Sequence, residues 1–328
     1  MPELIIVLII VIALLFEISN GWNDAANAIA TVVSTRVLSP LQAVLLAAGM
    51  NMIGALVSTA VAKTMGKGIV DPAAITETVV ISALMAGFLW NAAMTWLGLP
   101  VSASHALIGS VLGAGLAAGG VDVLNLAGLK KIFTALIASP ILGIFVGYYL
   151  MKFILKMFGR LSPGTINKHF GRLQILSSGF MAFGHGSNDA QKVMGVITLA
   201  LFSHKLIPSM EVPTWVILMC AVAMGLGTAM GGWRVIKTLG HKMLKLEPVH
   251  GFAAETSATA VILGASTLGL PVSTTHVISS TIMGVGATKR LSAVKWGIAG
   301  KILLAWVFTL PACIILAYVS EKFLSQII

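Results

Sequence analysis

Two aspartates occupy nearly the same sequence setting in opposite halves of the chain. Asp24 lies in Asn20-Gly21-Trp22-Asn23-Asp24-Ala25-Ala26-Asn27-Ala28, and Asp189 lies in Gly186-Ser187-Asn188-Asp189-Ala190-Gln191. The first cluster is bracketed by apolar residues, Leu4 to Phe16 before it and Ile29 to Val33 after it. An ionisable side chain at membrane depth is expensive and marks a functional site by default. Carboxylates beside amide oxygens make hard-oxygen sites for cations. Asn23, Asp24, Asn27, Asn188 and Asp189 are therefore candidate cation ligands. The competing reading is that each aspartate only caps a helix. Gln191 is one turn from Asn188 and can reach a cation or an anion. Lys192 either contacts an anion or extends its amine toward water. Glu255, in Gly251-Phe252-Ala253-Ala254-Glu255-Thr256-Ser257, is a third candidate carboxylate, or a proton carrier, or a first-turn residue facing water. Glu17 has no second-half partner and ranks lower.

A second motif also repeats. Leu97-Gly98-Leu99-Pro100-Val101-Ser102-Ala103-Ser104-His105 matches Leu268-Gly269-Leu270-Pro271-Val272-Ser273-Thr274-Thr275-His276 at seven of nine positions. Proline suits a first helical turn and serine or threonine suits the cap. Ser102, Ala103 and Ser104, like Ser273, Thr274 and Thr275, are thus expected at helix N-termini. Such termini offer free backbone N–H groups and a partial positive charge. Two of them facing each other form a cradle for an oxyanion such as phosphate or sulfate, not for a bulky apolar ligand. His105 and His276 follow by one turn and brace the motif or contact the anion. A serine with a nearby histidine also suggests a nucleophile and base, but duplicating both in opposed halves has no catalytic rationale, and no enzyme activity is expected.

The elements that must position these residues are transmembrane helices. Of the 328 residues 57% are hydrophobic and 10% charged, far fewer charges than in a soluble domain. Apolar runs lie near 3–33 and 173–201, each read as one helix broken at its Asn-Asp cluster. Others lie near 41–62, 78–97, 98–119, 131–155, 213–233, 248–268, 269–288 and 296–320. This gives about 10–12 transmembrane segments. The runs opening at 98 and 269 begin with proline and polar residues and read as re-entrant hairpins. The first run lacks basic flanking residues and is read as a span, not a signal peptide.

The net charge of +10 reads as topology rather than nucleic-acid binding, because lysines and arginines fall between apolar runs. Three basic clusters, 152–172, 234–245 and 289–295, are expected on the cytoplasmic side, with both termini outside. Lys63, Lys67, Lys130 and Lys131 run against that orientation. Cys220 and Cys313 sit inside apolar runs and read as small buried hydrophobes. The basic stretch 156–172 divides the chain into 1–155 and 173–328. Asp24 and Ser102 are 78 residues apart, and Asp189 and Ser273 are 84 apart. The order is kept and the unit is duplicated. With an odd number of crossings before the divide, the second half runs upside down. The fold expected is an all-α polytopic membrane protein of two inverted-topology repeats, with broken helices and re-entrant helical hairpins, the architecture of secondary transporters.

Both doubled motifs together resemble the inorganic phosphate transporter family of sodium- or proton-coupled permeases. Gly21 to Asn27 and, in degenerate form, Gly186 to Gln191 match its Gly-x-Asn-Asp-x-Ala-Asn signature; Gly98 to His105 and Gly269 to His276 match its Gly-Leu-Pro-Val-Ser-x-x-His motif. The resemblance covers nearly the whole chain. It implies phosphate uptake by cation symport, with Na+ preferred to H+ and an anion channel less favoured. It implies that Asp24 and Asp189 serve cation coupling, with Glu255 as a functional glutamate whose first-half counterpart falls near Asn51. The phosphate contacts are then expected from Ser102, Ala103, Ser104, Ser273, Thr274, Thr275 and Gln191. The cation contacts are expected from Asn23, Asp24, Asn27, Asn188, Asp189 and Glu255. The only ions needed are transported Na+ or H+, with no cofactor. The partners are inorganic phosphate, sodium ions and the lipid bilayer, with a homodimer left open. The location is the cell membrane, with several passes.

Overall fold

The computed structural model describes residues 2–72 and 75–327. Helix dominates them because a backbone surrounded by hydrocarbon must satisfy its own peptide groups. The order is α1 Pro2–Ser34, α2 Pro40–Ala55, α3 Ala60–Lys67, α4 Glu77–Leu97, α5 Ala103–Gly119, α6 Leu126–Phe158, α7 Pro163–Ser203, α8 Thr214–Met230, α9 Trp233–Lys237, α10 Pro248–Thr267, α11 Thr274–Lys289 and α12 Trp296–Leu324. Starts are written in the sequence. Ser39, Thr76, Asn125 and Ser162 each accept a backbone N–H from the first turn of the helix that follows, which satisfies an otherwise orphaned donor. Among the described residues five helices are long and apolar enough to cross a bilayer, or seven if two bent pairs each count as one span.

The expected breaks in 3–33 and 173–201 are not there. α1 and α7 run unbroken through their Asn-Asp clusters. The breaks sit on the neighbouring spans instead. α2 and α3 meet at 70°, and α8 meets the helix from Trp233 to Lys242 at 61°. The reason is local. Residues 56–59 bring Val57, Ser58 and Thr59 together, and Gly231, at φ +63°, with Gly232 forms the other joint. The clusters themselves are rich in alanine and find side-chain partners on other helices, so their backbone keeps its helical bonds. A helix-capping role for either aspartate is thereby removed. The connection expected at 156–172 is largely helical, with only residues 159–162 between α6 and α7.

Side-chain contacts fix the two ends of the molecule. At one end His204, closing α7, pairs with Glu77, opening α4, at 2.7 Å. Thr78 and Ser82 donate to Glu321 near the end of α12, at 2.8 and 3.1 Å. At the other end Thr35, just past α1, donates to Gln174 of α7 at 2.9 Å. Rings of Phe158, Phe170 and Phe252 form a chain of edge contacts there, and Lys295 N–H donates to Met243 O at 3.1 Å. All three basic clusters gather at this second end. α1 runs from the first end to the second and α7 runs back, so the halves are inverted.

Two hairpins, α4–α5 and α10–α11, enter from opposite ends. At each tip a glycine makes the turn, Gly98 at φ +72° and Gly269 at φ +64°, where a side chain would be strained. The halves interlock through equivalent close approaches. A Cβ on Gly113 would meet Ile314 O at 2.2 Å, and one on Gly284 would meet Ile144 O at 2.2 Å. Small residues are what allow membrane helices to approach this closely. Two apolar cores result. One holds Phe16, Leu84, Leu107, Ile108 and Val193; the other holds Ile29, Met181, Val277 and Ile282. The Asn-Asp clusters of α1 and α7 lie between them. Outside, Ile137 and Phe145 of α6 and Val307 and Phe308 of α12 are exposed, as suits a lipid-facing surface.

Candidate functional site

The hairpin tips meet each other at the polar layer. Ser104 Oγ donates to Val272 O at 2.9 Å. Each tip is self-capped: Ser102 accepts from His105 N–H at 3.1 Å and Ser273 accepts from His276 N–H at 3.2 Å. His105 and His276 lie side by side with ring centroids 4.5 Å apart, and Trp306 stacks on His276 at 3.8 Å. These histidines brace the two tips against one another.

Both signature helices grip the tips with the same residue. Asn23 donates to Thr95 Oγ1 at 2.7 Å and Leu99 O at 3.5 Å. Asn188 donates to Ser266 Oγ at 2.8 Å and Leu270 O at 3.3 Å. The two bonds are equivalent in the two halves, and they make these asparagines clamps of the hairpins. Asn188 Oδ1 also accepts from Val272 N–H at 3.3 Å.

Between the tips lies a cluster of four ionisable side chains, each at most 2% exposed. Asp24 accepts from Thr275 at 3.0 Å and from Thr274 at 3.4 Å. Thr274 Oγ1 is also 3.3 Å from Asp189 Oδ2. Lys192 Nζ lies 2.7 Å from Asp189 Oδ1, 2.6 Å from Ser104 Oγ and 2.8 Å from Val272 O. His185 Nε2 stands between the aspartates, 3.5 Å from Asp24 and 3.7 Å from Asp189. The ligand atoms of Asp24, His185 and Asp189 all lie within 4.8 Å of one another. Such a triad suits a single positive charge: a proton on Nε2 or a cation among the three groups.

The orientation of His185 follows from a relay of hydrogen bonds. Thr228 Oγ1 donates to Met224 O at 2.9 Å, so it accepts from Asn51 Nδ2, at 2.8 Å. Asn51 Oδ1 is then free to accept, and His185 Nδ1 donates to it at 3.0 Å. The relay commits Nδ1 and leaves Nε2 for the aspartates, as partners behind a histidine fix its tautomer in metal sites. Asn51 is therefore not the counterpart of Glu255. It sits on α2, whereas Glu255 sits on α10, whose repeat partner is α4.

The structure brings Asp24, Asn27, Asp189, Ser104, Thr274 and Thr275 together. Asn27 donates to Thr275 at 2.9 Å. Ala103 is buried at the same tip. Gln191 is turned away: its Oε1 accepts from Val61 N–H at 2.8 Å, and its amide donates to Ser187 O. It steadies the start of α3, which has no side-chain cap of its own. Glu255 stands apart as well, its carboxylate held by Thr31, Ser177 and Gln174. His185 escaped the sequence reading, although its place four residues before Asp189 puts both on one helical face.

A family model described as the phosphate transporter family matches residues 20–169 and 159–317. A Bacillus subtilis protein named "Probable low-affinity inorganic phosphate transporter" is 46% identical over 98% of this chain and 97% of its own. A Rhizobium meliloti protein of the same name is 46% identical over 94% of this chain and 93% of its own. Among solved structures, one described as "The sodium-dependent phosphate transporter" is 25% identical, covers 99% of this chain and 100% of its own, and superposes with a TM-score of 0.91. With two inverted halves, paired tips and this coverage, the chain is a multi-pass membrane protein that belongs to the phosphate transporter family.

Proposed function

We propose that this protein imports inorganic phosphate across the cell membrane by symport with a cation, Na+ in the first instance. One observation carries the reading: two inverted hairpin tips close on a buried cluster in which Asp24, Asp189 and His185 face one another beside Lys192. The hydroxyls of Ser104, Thr274 and Thr275 and the tip N–H groups supply donors to an oxyanion. The carboxylates supply the cation with hard ligands, and a cation there offsets the charge of the anion. In this reading Ser102 and Ser273 shape the tips, and Asn23 and Asn188 hold them. One half opening toward each end gives alternating access. The likeness to a solved protein described as sodium-dependent favours Na+.

Proton coupling is the second reading, and His185 is the observation that favours it. Its Nε2 faces two carboxylates with no hydrogen-bond partner of its own among the described residues, while Nδ1 is committed to Asn51. A channel is disfavoured because a passive pore needs no buried carboxylate cluster behind closed tips. The test is labelled phosphate uptake into liposomes holding the purified protein, under imposed Na+, K+ or pH gradients. Uphill uptake driven by Na+ is expected. Uptake indifferent to Na+ but driven by pH would shift the reading to protons, and purely downhill flux would replace it with a channel.

A further inference from the structure

The two halves of the cluster differ at two positions that bear on its charge: His185 stands where the first half has Asn20, and Lys192 where it has Asn27. Asn23 and Asn188 make equivalent bonds, as do the tips they hold. That alignment places Asn27 opposite Lys192, each three residues past its aspartate. The ammonium of Lys192 has three N–H donors and uses all of them: on Asp189 Oδ1 at 2.7 Å, Ser104 Oγ at 2.6 Å and Val272 O at 2.8 Å. One carboxylate, one hydroxyl and one carbonyl from a hairpin tip are the oxygens by which a hard cation is held. In the first half Asn27 brings no charge. Its Nδ2 donates to Thr275, while Asn27 Oδ1 and Asn23 Oδ1 are buried with no hydrogen bond among the described residues. Their second-half counterparts are both engaged.

We infer that Lys192 is a tethered substitute for one of two symmetry-related cotransported cations, leaving Asp24, Asn23 and Asn27 as the single exchangeable cation position. The inference rests on the coupled phosphate transport proposed above. Because the ammonium is covalently held, it neutralises Asp189 without ever crossing the membrane. Each phosphate then travels with one positive charge fewer than in a carrier with asparagine at both positions. A lysine serving only as a structural ion pair would leave the coupling ratio untouched, and this separates the two roles.

The experiment compares wild type, K192N and K192R in liposomes. Phosphate uptake, charge moved per phosphate and the Na+ dependence of Tm are measured across Na+ concentrations at fixed pH. Wild type and K192R are expected to show a Na+ Hill coefficient of about one, and K192N a coefficient rising toward about two. K192N is also expected to move one more charge per phosphate. If K192N folds but does not transport, its Tm should rise with Na+ by more than that of wild type, since a new cation site stabilises the state that binds it. A K192N protein with the wild-type Hill coefficient and charge, or with the wild-type Tm response if inactive, overturns the inference. Should K192N not fold, N27K carries the test: a second tethered ammonium is expected to abolish the remaining Na+ effect on Tm, and a wild-type response overturns the inference. The wild-type protein separates the two levels. If it accumulates no phosphate in any cation gradient, the proposed function fails. If it does accumulate phosphate and K192N leaves Na+ dependence unchanged, only this inference fails.

Discussion

At the scale of single residues, the two signature aspartates are alike in sequence and unlike in surroundings. Both face His185, but Asp24 is otherwise held by hydroxyls, whereas Asp189 pairs with a buried lysine. Asp24→Asn keeps a side chain that still accepts from Thr275, so the fold should survive while coupled uptake falls to background. Asp189→Asn strips the ammonium of its counter-charge. Breaking a buried pair from one side leaves an uncompensated charge and costs about 3 kcal/mol. Thermal unfolding of the two variants in detergent should show a large Tm loss for Asp189→Asn and little for Asp24→Asn. Equal losses would contradict the assignment of Lys192 to Asp189. The residues that define this difference show how far sequence alone reaches. The doubled Asn-Asp and Pro-Val-Ser motifs stand out in sequence because no apolar span needs them, and the structure brings them into one buried cluster. The Asn51–Thr228 relay does not stand out in this way, since it matters only through contacts between distant helices, and His185 was legible only through its i,i+4 spacing to Asp189. Gln191 shows the converse: its type fits a ligand, but the nearest demand is the uncapped start of α3.

At the scale of elements, the turns at Gly98 and Gly269 were legible because proline, serine and glycine have fixed positional meanings, but the runs expected to be hairpins by themselves, 98–119 and 269–288, are each one helix, paired with the run before it. The site of helix breakage was not legible. A polar cluster inside an apolar run suggests a break only if its backbone must serve a ligand. Here the side chains of the clusters bond to the hairpin tips and to one another, and α1 and α7 stay intact. The breaks fall instead where β-branched residues or paired glycines weaken α2–α3 and α8–α9. Close helix contact then depends on glycine. A Cβ on Gly54 would meet Phe183 O of α7 at 2.0 Å, whereas one on Gly264 meets nothing within 4 Å. Gly54→Ala should therefore lower stability by about 1–3 kcal/mol through overpacking, and Gly264→Ala should be neutral or stabilising, read as Tm under the same conditions. The tips supply a second expectation. Because Ser104 meets Val272 directly, cysteines at both positions joined by a short thiol-reactive bridge should stop uptake, and cleaving the bridge should restore it. Uptake that persists through the bridge would mean that the tips need not part.

At the scale of the whole molecule, the three basic clusters collect at one end although they are far apart in sequence. The lysines at 67 and 130 lie at the other, with Asn125 donating to Lys67 O at 2.8 Å. The positive-inside tendency then sets the first end outside. A membrane-impermeant thiol reagent should label Gly164→Cys only from the cytoplasmic side and Asp122→Cys only from the outer side; the reverse pattern would invert the topology and the direction of each opening. The central claim concerns the place where the two halves meet. A structure determined with phosphate and Na+ tests it most directly. The account predicts oxyanion density within hydrogen-bond reach of Ser104 and Thr274, with a cation against Asp24. Oxyanion density remote from both tips, with Asp24 and Asp189 still bonded only to protein, would contradict it.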